Sequence, residues 1–226
     1  MELFRRGAIF ATFFGSCLAI ALLVAALGTK FWVVARARRI PNPQESDGRV
    51  HFGLFDGKKE LNVAYGWRTY EIDIVSEMRP PRQLLTWGLW LATVASVGCG
   101  LLFAALAALF AVVNTAATPP GPITAVPGLY LWNSVAMLFD LAAISLWTVQ
   151  YYQKLQDNVM SIEDLDNMWT SAGMAHLGYS FWFVVGGAIV HALNMVAIYV
   201  GTRRSRHKDV PQPMMEMKNS GAIMLY

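Results

Sequence analysis

Charge is what this sequence lacks most conspicuously. From Gln83 to Phe139 there is not one Asp, Glu, Lys or Arg, although 15% of the whole chain is charged. Gly7 to Thr29 and Asn167 to Thr202 carry no formal charge either. A soluble domain needs charge at its surface far more often, so these runs exclude a water-soluble globule. Cysteine is scarce too: Cys17 and Cys99 are the only two, and both fall inside apolar runs, which excludes a disulfide framework. There is no Asn-x-Ser/Thr sequon, no Gly-rich phosphate loop and no nucleophile elbow. The four histidines, His51, His176, His191 and His207, are scattered without metal-ligand spacing. The loop acids Asp157, Glu163, Asp164 and Asp166 lack the spacing and turn glycine of a calcium loop and read as a solvated face. No cofactor or metal site and no enzyme chemistry are expected. The net charge of +3, divided between a loop and the tail, makes no stripe for nucleic acid.

What is present is apolar length. Of the 226 residues, 55% are hydrophobic and the mean hydropathy is +0.40. About 20 apolar residues cross a hydrocarbon core at about 1.5 Å per residue. The long charge-free block supplies two crossings and the other runs one each. The expected fold class is an all-α membrane protein, a four-transmembrane-helix bundle, with helices at 7–28, 84–113, 128–150 and 178–201. Loop 1 covers 29–83, and residues 202–226 form a tail. The start, MELFRRG followed by about 21 apolar residues, reads as an uncleaved first helix; its apolar stretch is longer than the core of a signal peptide. An even helix count puts both termini on one side. Arg5, Arg6, Arg203, Arg204, Arg206 and Lys208 favour the cytosol. Loop 1 opposes them with ten Lys and Arg, but it is long and carries seven acids among them.

Loop 1 has strand periodicity. Val50, Phe52 and Leu54 alternate with Arg49, His51 and Gly53, and Asp56-Gly57 then reads as a hairpin turn. Tyr70, Ile72 and Ile74 alternate with Thr69, Glu71 and Asp73, and Phe31-Trp32-Val33-Val34 offers a further strand. A small antiparallel β-sheet packed on the helix ends is expected.

Helix 2 carries Gly88, Ala92, Ser96, Gly100, Ala104 and Ala108 at four-residue spacing. Small residues allow the close backbone approach that holds helices together in lipid, so this stripe is expected to face another helix of the bundle, with a dimer seam as the alternative. Helix 3 carries Asn133 and Asp140, seven apart; helix 4 carries His191 and Asn194, three apart. Counted from the tail side, Asp140 is about 12 residues into helix 3 and His191 about 10 into helix 4, a depth difference of roughly 3 Å. An unpaired carboxylate near the bilayer centre costs at least ~2.5–3.5 kcal/mol. Asp140 is therefore expected to face the interior and pair with His191, with Asn133 and Asn194 also matched in depth. An interhelical contact that fixes register is the reading preferred over a proton relay.

Several short sequences then fall in order: Ala26-Leu27-Gly28-Thr29-Lys30-Phe31-Trp32, Phe52-Gly53-Leu54-Phe55-Asp56-Gly57, Pro127-Gly128-Leu129-Tyr130-Leu131-Trp132-Asn133, Tyr179-Ser180-Phe181-Trp182, His191-Ala192-Leu193-Asn194 and a final Met224-Leu225-Tyr226. Together they resemble the clarin family of tetraspan membrane proteins of hair cells and photoreceptors, with wider relatives among the claudins and peripheral myelin protein. The resemblance implies a left-handed four-helix bundle, cytosolic termini and an extracellular sheet from loop 1. It also implies a plasma-membrane scaffold or adaptor at sensory junctions or synapses, linked to actin. Trp32 and Gly53, Leu54 and Phe55 match the claudin-like loop motif in part; its two cysteines are absent, so no loop disulfide is implied and a barrier-forming claudin is disfavoured.

The last residues, Met224, Leu225 and Tyr226, have the apolar-x-apolar pattern that a PDZ domain adds as an edge strand. Arg203, Arg204, Arg206 and Lys208 offer anionic lipid ~1 kcal/mol each, beside the simpler role of a stop-transfer anchor. Expected partners are thus the lipid bilayer, a PDZ-domain protein and other membrane proteins. The function expected is scaffolding, with an auxiliary or trafficking subunit of an ion channel as the alternative and a small transporter using Asp140 and His191 as a third class.

Overall fold

The computed structural model describes residues 2–63, 66–78, 84–117, 119 and 121–206. Four of its helices are long and apolar enough to cross a membrane: α1 (Glu2–Gly28), α3 (Trp87–Ala116), α4 (Val126–Gln150) and α6 (Tyr179–Arg206). The protein is an integral multi-pass membrane protein of four spans. The helices outrun their apolar segments. α1 begins at Glu2, five residues before its charge-free run, and α6 continues to Arg206, because a backbone already hydrogen-bonded in lipid has no reason to stop at the headgroups. Pro127 lies in the first turn of α4, where its missing N–H costs nothing. At its other end α4 runs into a π-turn, Tyr151–Leu155.

The spans form a ring: α1 packs between α3 and α6, and α4 closes the other side between them. Along α1 the contacts with α6 recur every seven residues, at Ala8, Gly15, Leu22 and Thr29; on α6 the matching steps are seven, eight and six. Gly201 lies against Ala8, Asn194 against Gly15, Gly186 against Leu22, and Ser180 bonds Thr29 (Oγ–Oγ1 2.7 Å). A seven-residue repeat keeps two helices in register only if they supercoil left-handedly, with a crossing near +20°. The termini of α1 and α6 thus meet at one end, and the sheet caps the other.

That sheet has six strands, four from loop 1 and two from the segment between α4 and α6. β1 (Val33–Arg39), β2 (Gly48–Phe52), β3 (Asp56–Val63) and β4 (Gly66–Asp73) form an antiparallel meander. β5 (Trp169–Thr170) and β6 (Ala175–Leu177) add to the free side of β1. Val33, Ala35 and Ala37 point inward while Arg36 and Arg38 point to water, the period-2 pattern of a sheet with one covered face. The covered face meets Trp32, Trp147, Leu155 and Phe181 in one core.

The structure corrects several local expectations. Asp56-Gly57 opens β3 rather than forming the turn; residues 53–55 make the turn, closed by Gly53 N–H donating to Asp56 O at 2.8 Å. The first strand starts at Val33, not Phe31. Ile74 begins a one-turn helix, α2 (Ile74–Glu77), because the Asp73 carboxylate caps it by accepting from Val75 N–H. Tyr70 is exposed rather than on a sealed apolar face, since β4 is the edge strand and projects beyond the bundle. The acids after α4 are not all solvated. Ser161 and Asp164 form a capping box on α5 (Ile162–Asp166), and Asp164, only 8% exposed, also takes the Lys59 ammonium at 2.5 Å. On the outer face, the hydrogen bond to Asp56 raises the Lys30 pKa above its ordinary value. Lys58 beside Glu60 lowers the Glu60 carboxyl.

Candidate functional site

Few polar side chains are buried inside the spans, and five of them form one layer. α4 brings Asn133 and Asp140 inward on one face; α6 answers with His191 and Asn194 and α1 with Ser16, all buried. Asn133 fixes the arrangement. Its Nδ2 donates to Leu129 O at 2.9 Å, so its Oδ1 is turned to the neighbouring helix. That oxygen accepts from Asn194 Nδ2 at 3.1 Å and from His191 Nδ1 at 3.1 Å. Asn194 Nδ2 also lies 3.2 Å from Ser16 Oγ. The Asn133 oxygen thus ties α4 to α6, and the Asn194 amide carries the network on to α1.

Asp140 sits at the end of this chain of contacts without joining it. His191 Nδ1 carries the proton given to Asn133, and Nε2 faces Asp140 Oδ2 at 3.9 Å, beyond hydrogen-bond range. Among the described residues neither Asp140 oxygen nor His191 Nε2 has a hydrogen-bond partner. The carboxylate occupies space left by two glycines. A Cβ on Gly100 of α3 would come 2.6 Å from Asp140 Oδ1, and one on Gly187 of α6 would come 3.2 Å from Oδ2, with Leu23 of α1 completing the cradle. All four spans meet at this level.

The small-residue stripe of α3 divides. Ser96, Gly100, Ala104 and Ala108 are buried in the bundle; Ala92 is half-buried, and Gly88 is exposed with no neighbouring atom within 4 Å. Four residues advance a helix by one turn plus about 40°, so a strict i, i+4 row winds off any straight seam after two or three steps. The buried face alternates threes and fours, through Thr93, Ser96, Gly100, Ala104, Ala107, Ala111 and Asn114.

The loop 1 motif joins the sheet to the helix ends. Trp32 is buried; its Nε1–H donates to Ala26 O at 2.7 Å, and its ring meets Trp147 edge-on at 5.0 Å. At Gly53 the chain passes so close to α1 that a Cβ would lie 2.5 Å from Thr29 O. Leu54 is buried and its carbonyl accepts from Trp90 Nε1–H at 2.6 Å; Phe55 is exposed against the Trp90 ring. Arg203 is exposed and bonds Tyr199 Oη at 2.9 Å. The side chains of Arg204 and Arg206, and all of Lys208, Met224, Leu225 and Tyr226, lie outside the described residues.

Ser16 was missed from sequence. Its one signal is Gly15-Ser16, a small polar pair midway along an otherwise apolar run. The seven-residue row Ser180, Gly187, Asn194 and Gly201 was equally visible and equally overlooked. Among the described residues, no three His, Cys, Asp or Glu are grouped to hold a metal.

A family model described as Clarin-2-like matches residues 4–198, a stretch that takes in most of each span, the sheet and every residue of the polar layer. No curated protein matches the chain.

Proposed function

The chain belongs to the Clarin-2-like family, and from that premise we propose that it is a non-enzymatic scaffold or adaptor that organises a plasma-membrane complex in sensory cells, of hair-cell, photoreceptor or synaptic type. In this reading the termini are cytosolic, the sheet faces outward, and the tail connects to PDZ-domain and actin-linked proteins. The observation that carries it is how the intramembrane polar groups are used. From the Gly187 level, where Asp140 sits, to the Asn194 level, where Ser16 sits, is seven residues of α6, about 10 Å of a hydrocarbon core of about 30 Å. Asn133 Oδ1, His191 Nδ1, Asn194 Nδ2 and Ser16 Oγ are engaged in interhelical contacts, while both Asp140 oxygens and His191 Nε2 take no hydrogen bond among the described residues. Such an arrangement fixes a rigid bundle that presents a sheet on one side and a tail on the other.

Proximity labelling in native sensory cells tests the proposal. PDZ and actin-linked neighbours support it; a channel core as the dominant neighbour favours an auxiliary channel subunit instead. The unpartnered Asp140 carboxyl sustains one further reading, a small proton-coupled transporter. Purified protein in liposomes that moves protons, and loses this on Asp140→Asn, would establish that reading and displace the scaffold.

A further inference from the structure

The sheet overhangs the bundle. One cross-strand row runs Ala35, Val50, Lys59, Tyr70 from β1 to β4; the first two are buried on the helix ends, Lys59 is partly covered against Asp164, and Tyr70 at the edge is exposed. Beneath this overhang is an open groove of about 360 Å³, within the range of small-ligand sites. Its floor includes Leu84, three residues before α3 begins, and Met160, five residues after the third span ends at Leu155. Lys154, in the last turn of that span, stands at its wall. The groove therefore lies where the chain passes from hydrocarbon to headgroups.

The walls carry both signs of charge. Lys59 is seated between Asp164 at 2.5 Å and the Tyr70 ring at 5.1 Å, and Asp164 is itself clamped by the Ser161 hydroxyl at 2.6 Å, so this wall is rigid. Glu163 follows on α5 with an exposed side chain. The ammonium of Lys154 has three donors and serves more than one acceptor. Glu71 faces Lys30 at 3.7 Å, and Glu77, Glu163 and Asp164 still outnumber Lys59 and Lys154 along the groove, so a headgroup of net negative charge meets like charge here. A headgroup that carries its own ammonium does not.

We propose that this groove binds the headgroup of a zwitterionic phospholipid from the leaflet on the sheet side. Lys154 takes the phosphate, Glu163 takes the ammonium, and the acyl chains leave past Leu84 and Met160 into the bilayer. The location selects a lipid over a soluble ligand, and the paired charges select a zwitterion over an anion.

The test uses the full chain purified in detergent and native mass spectrometry with phosphatidylcholine, phosphatidylglycerol and diacylglycerol of the same acyl chains. Phosphatidylcholine should be retained at about tenfold lower concentration than the other two, a difference of about 1.4 kcal/mol. Lys154→Gln with Glu163→Gln should erase that preference, and the melting temperature in lipid-free detergent checks that the variant folds. If the pair disturbs folding, Glu163→Gln alone, at an exposed position, should reduce it. Glycerophosphocholine should displace the bound lipid, since the headgroup is what is recognised. Equal retention of the three lipids, a preference for phosphatidylglycerol, or variants that bind as the wild type would overturn the proposal. So would displacement by a lysine-rich peptide but not by glycerophosphocholine, which would make the groove a protein-docking site.

Discussion

Replacing Asp140 by Asn should stabilise this protein. The side chain keeps its shape, so the cradle formed by Gly100, Gly187 and Leu23 is undisturbed. A carboxylate at the centre of a span costs ~2.5–3.5 kcal/mol or more, and here neither oxygen recovers a hydrogen bond from the described residues. The contact to His191 Nε2 at 3.9 Å offsets only part of this. An Asn amide removes the ionisable group and brings an N–H donor toward His191 Nε2, where an interhelical hydrogen bond averages ~0.6 kcal/mol and reaches ~1.7 at most. The expected gain is therefore about 1–3 kcal/mol. Reversible unfolding in bicelles, followed through the buried tryptophans Trp32 and Trp147, measures it. A loss of stability beyond about 1 kcal/mol, the scale of a single net hydrogen bond, would mean that Asp140 makes contacts in the membrane other than those described, and the structural account of this layer would fail.

The same geometry fixes other outcomes. Gly100→Val and Gly187→Val put side chains where the Asp140 carboxylate lies and should cost about 1–3 kcal/mol as overpacking, while Gly88→Ala, on the open face of α3, should leave the melting temperature unchanged. Asn194→Leu removes two donors to Asn133 and Ser16 and should lower the unfolding free energy by ~0.6–1.7 kcal/mol per lost bond in the same bicelle assay. Lys59→Met should destabilise the sheet by up to about 3–5 kcal/mol because Asp164 is left buried and unpaired; adding Asp164→Asn should recover most of that loss, and a double-mutant cycle on thermal melts reads the coupling. One residue added after Tyr226 should abolish capture of a PDZ domain by the tail in a pull-down, and undiminished capture would refute that mode.

The spans were legible because lipid punishes charge. Fifty-seven consecutive uncharged residues admit few other structures, and the helix-breaking Pro119 and Pro122 lie between α3 and α4. β2 was legible because one face of it lies on the bundle, so burial imposes the alternation that the sequence then carries; β1 was met only at Val33 and Val34. β4 has the same alternation but no cover, so its sequence period announced a strand without saying which residues would be buried. β5 and β6 are two and three residues long and exist because β1 offers a free edge; strands that short have no period of their own to read.

The polar layer was half legible for a related reason. The cost of a buried polar group makes Asn133, Asp140, His191 and Asn194 conspicuous, and counting residues from the helix ends matches Asp140 with His191 and Asn133 with Asn194 in depth. Depth does not decide partners. His191 lies between Asn133 and Asp140 along α4, and either could take its ring; what settles the choice is the closeness of α6 to its neighbours. That closeness comes from the seven-residue rows of the α1–α6 seam, where Gly15 leaves room for Asn194 and draws Ser16 into the layer. Asn133 Oδ1 then receives two donors at 3.1 Å, and Asp140 is left against the glycines rather than against His191 Nε2. The apolar and small residues, not the polar ones, therefore select which polar contacts form: packing sets the distances between backbones first, and the hydrogen bonds are those that fit within them.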